Sequence, residues 1–335
     1  MSGNIYSAIA ALIGFAVTAV LGFVMVPFLH KLKFGQTIRE DGPKWHASKQ
    51  GTPTMGGLMF IVGICVAVAI ILPIYVAKAG NVSTLNIVKI VAGLIMSLAM
   101  GLTGFLDDFI SIRKHRNLGL TEKQKLVLQF AIVIAYLVSI RLAGGTTEIS
   151  VPFVGAVNLG FFYYIISAIF IVGMINAVNF TDGIDGLNST VTAAVCVCFM
   201  VTAFALSNIG YAIFSSAVAG ACIGFLVWNF HPAKVFMGDT GSLFLGAIVC
   251  SIAYGMGLPL LLLLYGIVYI VEIVSVVLQV TYFKATHGKR LFKMSPIHHH
   301  FELCGWSEVK ICAVFGTVAL VAGIICILLV AFGLR

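Results

Sequence analysis

The sequence of 335 residues predicts an all-α, polytopic integral membrane protein, a single domain over 1–335 with about ten transmembrane helices and a small outer β-hairpin. Three observations carry that expectation. Hydrophobic residues make up 60% of the chain, charged residues only 10%, and the mean hydropathy is +1.09. Soluble domains are roughly half apolar and a quarter charged. Ten apolar stretches lie between polar breaks, and the basic residues gather on one side of them.

The stretches run 5–29, 56–77, 85–106, 126–143, 161–178, 190–207, 211–229, 241–257, 259–283 and 309–333. Each is near the ~20 residues a helix needs to cross a bilayer. The first is too long, and lacks the small-residue cleavage pattern, for a removable signal peptide. The loops near 30–55, 107–125, 230–240 and 284–310 hold sixteen of the twenty Lys and Arg. By the positive-inside rule these loops and the short 179–189 loop face the cytoplasm, and both termini face outward. The net charge of +8 is therefore topological first, and a nucleic-acid partner is not expected. The outer connection 144–160 has Gly turns around a β-prone run, which predicts the hairpin. All eight Cys fall in spans or on the cytoplasmic side, so no disulfide is expected.

Ten of the twelve acids and all eight His map to the same cytoplasmic side. Carboxylates follow the positive-inside rule only weakly, so topology alone does not gather them there. Five constellations result. Asp107 and Asp108 close the third span, where adjacent acids repel unless a divalent cation or a shared proton relieves them. The loop 176–188 combines Asn179, Asp182 and Asp185 with Gly183 and Gly186, which permit tight turns and close approach to a ligand. It lacks the ligand spacing of an EF-hand. In 228–242, Asn229 and Phe236 precede Asp239, Thr240 and Ser242 at a helix start, which suits a cation and a phosphate but also an ordinary N-cap. His298, His299 and His300 form an unbroken triplet in a basic loop, better matched to phosphate than to zinc because no Cys pair completes a metal set. The first loop contributes Lys49 and Thr54 before Gly56-Gly57, and Lys125 stands in a similar position near the fourth span.

Acids, lysines, histidines and glycine turns on one face suit a diphosphate held through Mg²⁺ and an acceptor phosphate entering from the bilayer. A transporter would instead place charge near the membrane midplane. Only Glu272 lies well inside a span, with Gln279 further along, so the loop chemistry favours an enzyme.

The segments 51–57 (GTPTMGG), Asp107-Asp108, 179–187 (NFTDGIDGL), 236–242 (FMGDTGS) and 296–302 (PIHHHFE) resemble, in order, those of the phospho-N-acetylmuramoyl-pentapeptide transferases. This translocase I family of peptidoglycan synthesis lies within the polyprenyl-phosphate N-acetylhexosamine 1-phosphate transferases. The resemblance implies Mg²⁺-dependent transfer of phospho-MurNAc-pentapeptide from UDP-MurNAc-pentapeptide to undecaprenyl phosphate, giving lipid I and UMP. It also implies ten helices in the bacterial inner membrane, a cytoplasmic active site, outward termini and a homodimer. By the same resemblance Asp239 is the Mg²⁺ ligand and Asp107 the base, supported by Asp108. Asp182, Lys125, His298 and His299 join them as catalytic positions. Lys49, Thr54, Asn179, Gly183, Asp185, Asn229, Phe236, Gln279 and His300 line the substrate pocket, with Phe236 stacking on uracil. Enzymes of the superfamily that use UDP-GlcNAc are the alternative; the TPTMGG loop and the His triplet favour the muramoyl-peptide donor. On this reading Asp107, Asp108, Asp182, Asp185, Asp239 and His298 converge on one site.

Overall fold

The computed structural model describes residues 3–32, 49, 51–79, 82–113 and 119–333. Most of the first basic loop and part of the loop after the third span, with their expected orientation signals, lie outside the described residues. So do the extreme termini. Twelve helices and one hairpin follow in order: α1 (Gly3–Lys31), α2 (Gly57–Ala79), α3 (Thr84–Arg113), α4 (Glu122–Leu142), β1 (Glu148–Val151), β2 (Gly155–Asn158), α5 (Phe162–Phe180), α6 (Leu187–Ala205), α7 (Ile209–Asn229), α8 (Gly238–Gly255), α9 (Leu262–Tyr265), α10 (Ile267–Ala285), α11 (Ile297–Leu303) and α12 (Glu308–Gly333).

Among the described residues, nine helices are long and apolar enough to cross a membrane: α1 to α7, α10 and α12. The remaining expected span is α8, an 18-residue helix with Asp239 in its first turn. It is buried without a break from Thr240 to Gly255, so it needs no lipid-facing surface. α7 lies beside it as the second central element, with α1, α2 and α6 against α7 and α3 and α5 against α8. Outward-facing Leu12, Phe23, Val127, Ile134, Ile324 and Leu328 remain exposed, as expected of side chains that meet lipid tails.

Small residues set the helix spacing, because apolar surface alone gives no drive to associate in lipid. A Cβ at Gly220 of α7 would lie 2.0 Å from the Ala11 carbonyl oxygen of α1. One at Gly104 of α3 would lie 2.1 Å from the carbonyl oxygen of Asp239, so α3 meets α8 backbone to backbone at the acidic end. Gly57 of α2 approaches Gly241 of α8 in the same way.

Three boundaries differ from the sequence expectation. Helix α3 continues past Leu106 to Arg113, so Asp107 and Asp108 lie within the helix and not at its end. The stretch 259–283 is broken at Gly266, leaving short α9 before α10. The His triplet forms the helix α11 and not an open loop. The hairpin falls where expected, with Glu148 opposite Asn158 and Val151 opposite Gly155, and Phe153 N–H donates to the Gly333 carbonyl at 2.7 Å. This places the hairpin and the end of α12 on one side of the bundle. The eight cysteines are all free.

Candidate functional site

At the opposite end from the hairpin, the chain reverses into α8 through Gly238, which has φ +70°. A side chain there would collide with Asp108 Oδ2 and Thr54 Oγ1, 2.5 and 2.6 Å from its Cβ position. The first N–H groups of a helix lack internal partners. Asp108 supplies them from α3: Oδ1 accepts Asp239 N–H at 3.2 Å, and Oδ2 accepts Thr240 N–H at 3.0 Å and Thr240 Oγ1–H at 2.7 Å. The N-cap suspected at Asp239 is thus performed by Asp108, which leaves the Asp239 side chain free to point outward.

Asp239 Oδ1 accepts from Asn179 Nδ2 at 2.8 Å, and Oδ2 accepts from Lys125 Nζ. Asn179 also donates to Ser242 Oγ at 2.7 Å. Lys125 reaches this point from the first turn of α4, whose start is fixed by a capping box between Thr121 and Gln124. Asp107 Oδ1 accepts Leu120 N–H at 2.9 Å, and its carboxyl feels the charges of Asp239 and Lys125. Asp182 stands in the turn after α5. Burial, then the carboxylates of Asp239, Asp108 and Asp185, push its carboxyl well above the ordinary range. Three carboxyl groups, those of Asp239, Asp107 and Asp108, therefore surround one lysine, and Asp182 adjoins two of them. A surplus of carboxylate oxygen with an amide beside it fits a hard divalent cation, which takes one or two carboxylates and completes its shell with water and substrate oxygens.

A second cluster adjoins the first. Lys49 Nζ donates to Asp185 Oδ1 and to Glu308 Oε2, both at 2.7 Å. Asp185 Oδ2 also meets His231 Nδ1 and accepts Ala233 N–H, each at 3.0 Å, while Glu308 Oε2 accepts the Asp185 N–H at 2.8 Å. Asp182 and Asp185 thus serve different clusters, a correction to the single convergence expected above. The chain from Thr181 to Gly186 runs as turns and a bend before α6 begins, instead of as a helical turn that would keep both acids on one face. Among the described residues, Asp185, His231 and Glu308 are the set of three acid or imidazole ligands with atoms within 4.8 Å of one another. The Lys49 ammonium already stands between its two acids. Above this cluster, Asn229 donates to the Val235 carbonyl at 2.9 Å, and its buried Oδ1 has no partner. Half-buried Phe236 is held by Pro53 and Gly56 through backbone bonds of 2.8 Å, which bring the Thr54 loop alongside.

The third element is α11. His298 Nδ1 lies 3.0 Å from Glu272 Oε2, both side chains 0% exposed, and a Cβ at Gly183 would fall 2.1 Å from His298 Nε2. His298 therefore touches the loop that carries Asp182. His299 pairs with Glu302 at 2.6 Å. Gln279 and His300 are occupied elsewhere: Gln279 Oε1 accepts the N–H groups of Leu291 and Phe292 at 3.0 and 2.9 Å, and His300 Nδ1 accepts Lys293 N–H at 3.1 Å. They hold the preceding segment and are not brought to the carboxylates. Glu308 and His231 were absent from the sequence-derived set, because an acid in a helix's first turn reads as an ordinary dipole partner and one histidine before a proline has no pattern.

A profile of Glycosyl transferase family 4 matches residues 90–257, and the phospho-N-acetylmuramoyl-pentapeptide-transferase signature 1 matches residues 49–61. The chain is 44% identical over 319 residues to a phospho-N-acetylmuramoyl-pentapeptide-transferase of Halalkalibacterium halodurans, covering 95% of each protein. Those of Clostridium botulinum (strain Alaska E43) and Bacillus subtilis are 47% and 45% identical, each over 94% of both chains. The chain belongs to the phospho-N-acetylmuramoyl-pentapeptide-transferase family. It is a multi-pass membrane transferase. The signature contains Lys49 and Thr54, the profile contains Asp107 through Asp239, and full-length relatedness extends to α11 and Glu308.

Proposed function

We propose that the protein transfers phospho-MurNAc-pentapeptide from UDP-MurNAc-pentapeptide to undecaprenyl phosphate, giving lipid I and UMP, at the cytoplasmic face of the bacterial inner membrane. The observation that carries this reading is Asp239, held between Lys125 and Asn179 and ringed by Asp107, Asp108 and Asp182. Mg²⁺ bound by Asp239 would neutralise charge on the diphosphate and on the leaving phosphate.

The attacking group is a lipid phosphate oxygen. It forms a bond to the sugar-linked phosphorus as the bond from that phosphorus to the bridging oxygen breaks, and UMP leaves with the bridging oxygen. Such a nucleophile is already anionic and needs positioning more than activation, which favours direct attack over an aspartyl intermediate. Asp107 takes any proton remaining on the lipid phosphate. Lys125 stabilises the transferring phosphoryl group, and Asp108 keeps α8 and Asp239 in place. Asp182, His298 and His299 border the diphosphate. Lys49, Asp185, Asn229 and Phe236 receive the uridine, with Thr54, Asn179 and Gly183 between the base and the phosphates. The basic loops support outward termini, and the family resemblance supports a homodimer.

The test is to incubate purified, detergent-solubilised protein with Mg²⁺, undecaprenyl phosphate and either UDP-MurNAc-pentapeptide or UDP-GlcNAc. UMP release with the first donor alone is expected. Release with UDP-GlcNAc alone, or with neither, contradicts the reading.

A further inference from the structure

Glu272 is the acid that composition places inside a lipid-spanning helix, and nothing in the transfer chemistry above uses it. It is buried at 0% exposure, where an unpaired charge would be costly. Its place in α10 gives Oε2 a partner in His298, while Oε1 is buried without one. Glu272, Ser275 and Gln279 recur at intervals of three and four and share the buried face of that helix. The segment from Leu291 to His300 lies along this face. Gln279 binds the backbone of Leu291 and Phe292, with Nε2 donating to the Phe292 carbonyl at 3.1 Å as well, and Glu272 binds His298. Glu272 and Gln279 thus hold the two ends of the histidine segment.

A carboxylate oxygen accepts from an imidazole N–H, and the 3.0 Å contact suits His298 Nδ1–H donating to Glu272 Oε2. Nε2 is then the ring atom left over. It is buried, has no partner, and points at Gly183, where only a glycine leaves it room. Gly183 follows Asp182 directly. A buried imidazole nitrogen without a partner, aimed at the turn beside the carboxylate cluster, is a group waiting for a ligand atom.

We propose that Glu272 is a positioning residue for phosphoryl transfer. By accepting the Nδ1–H it fixes the tilt of the His298 ring, and it supports the ring when a second proton makes Nε2–H a donor, beside Gly183, to a phosphate oxygen of the bound diphosphate. The inference rests on the transfer reading given above. The arrangement is that of a carboxylate behind a working histidine, where the carboxylate orients the ring and stabilises its charged form without itself reacting.

The experiment measures UMP release by the full-length detergent-solubilised protein for Glu272→Gln, Glu272→Asp, His298→Ala and Glu272→Gln/His298→Ala, with thermal unfolding of each. Glu272→Gln keeps the volume and removes the charge. It should lower kcat by roughly ten- to hundred-fold, with the KM for donor changed little and the unfolding temperature unchanged. Glu272→Asp, which restores a carboxylate, should recover part of that loss. The double variant should be no slower than His298→Ala, because Glu272 acts only through the ring. Wild-type turnover in Glu272→Gln, or multiplied losses in the double variant, would overturn the proposal. A wild-type protein that releases no UMP would instead sink the transfer reading itself, so the two failures are distinguishable.

Discussion

The carboxylates around Asp239 and those around Lys49 are neighbours on one face of the bundle, each group holds one lysine, and they are neutralised to different degrees. In the first group Asp107, Asp108 and Asp239 share Lys125, while burial and the neighbouring carboxylates push the Asp182 carboxyl well above the ordinary range. In the second, Asp185 and Glu308 share Lys49 at equal distances of 2.7 Å and add His231. A group with surplus negative charge invites a divalent cation. A group of two acids bonded to one ammonium, a backbone N–H and an imidazole has most of its acceptors matched, which suits a neutral, flat ligand such as a nucleobase. On the proposed reading, the first cluster would do the chemistry and the second the recognition.

That contrast can be broken by substitution. Asp239→Asn should have the largest effect, a fall of about a hundredfold or more in Mg²⁺-dependent UMP release by protein that still folds, since it removes the charge on which the first cluster turns. Near-normal turnover would move the cation elsewhere. Lys49→Ala comes next, with a different signature. It leaves two buried carboxylates facing each other and should raise the donor KM on the order of ten- to a hundredfold while kcat changes less, as measured by initial rates over donor concentration. A smaller effect concerns pH. Because Asp182 has a raised pKa, it keeps its proton at pH values where an ordinary aspartate has lost it. A cation bound nearby displaces that proton, so cation affinity should strengthen as pH rises through the raised pKa, and Asp182→Asn should flatten the dependence in calorimetric titrations. His231→Asn should be the mildest. Its side chain is 42% exposed, and a contact of that kind contributes less than ~1 kcal/mol, a change of a fewfold in donor KM at most.

Much of this was legible in the sequence for a physical reason: lipid forces polar chemistry to the ends of helices, so acids and histidines in the loops mark the working face. Asp239 stood out that way, Asn179 and Lys125 entered the site through the family resemblance, and the three side chains meet in the fold. The extension of α3 to Arg113 was not, because Asp107-Asp108 reads as the end of an apolar span. The helix continues there since Asp108 gains the α8 N–H groups as partners, a contact 131 residues away in sequence. The separation of Asp182 from Asp185 was hidden for a similar reason. Their spacing suits a helical face, and the chain between them runs as turns and a bend instead. Glu272 looked like a transporter's intramembrane acid until α11 was seen to fold back onto α10. Glu308 is a first-turn acid whose partner Lys49 lies 259 positions earlier.

The most direct test locates the cation. Mn²⁺, a paramagnetic substitute for Mg²⁺, would be titrated into the full-length protein in detergent and its binding followed by electron paramagnetic resonance in wild type, Asp239→Asn and Asp185→Asn. The account predicts that specific binding is lost in Asp239→Asn and kept in Asp185→Asn. Loss in Asp185→Asn with binding kept in Asp239→Asn would place the cation among Asp185, His231 and Glu308 and contradict the division of labour between the two clusters.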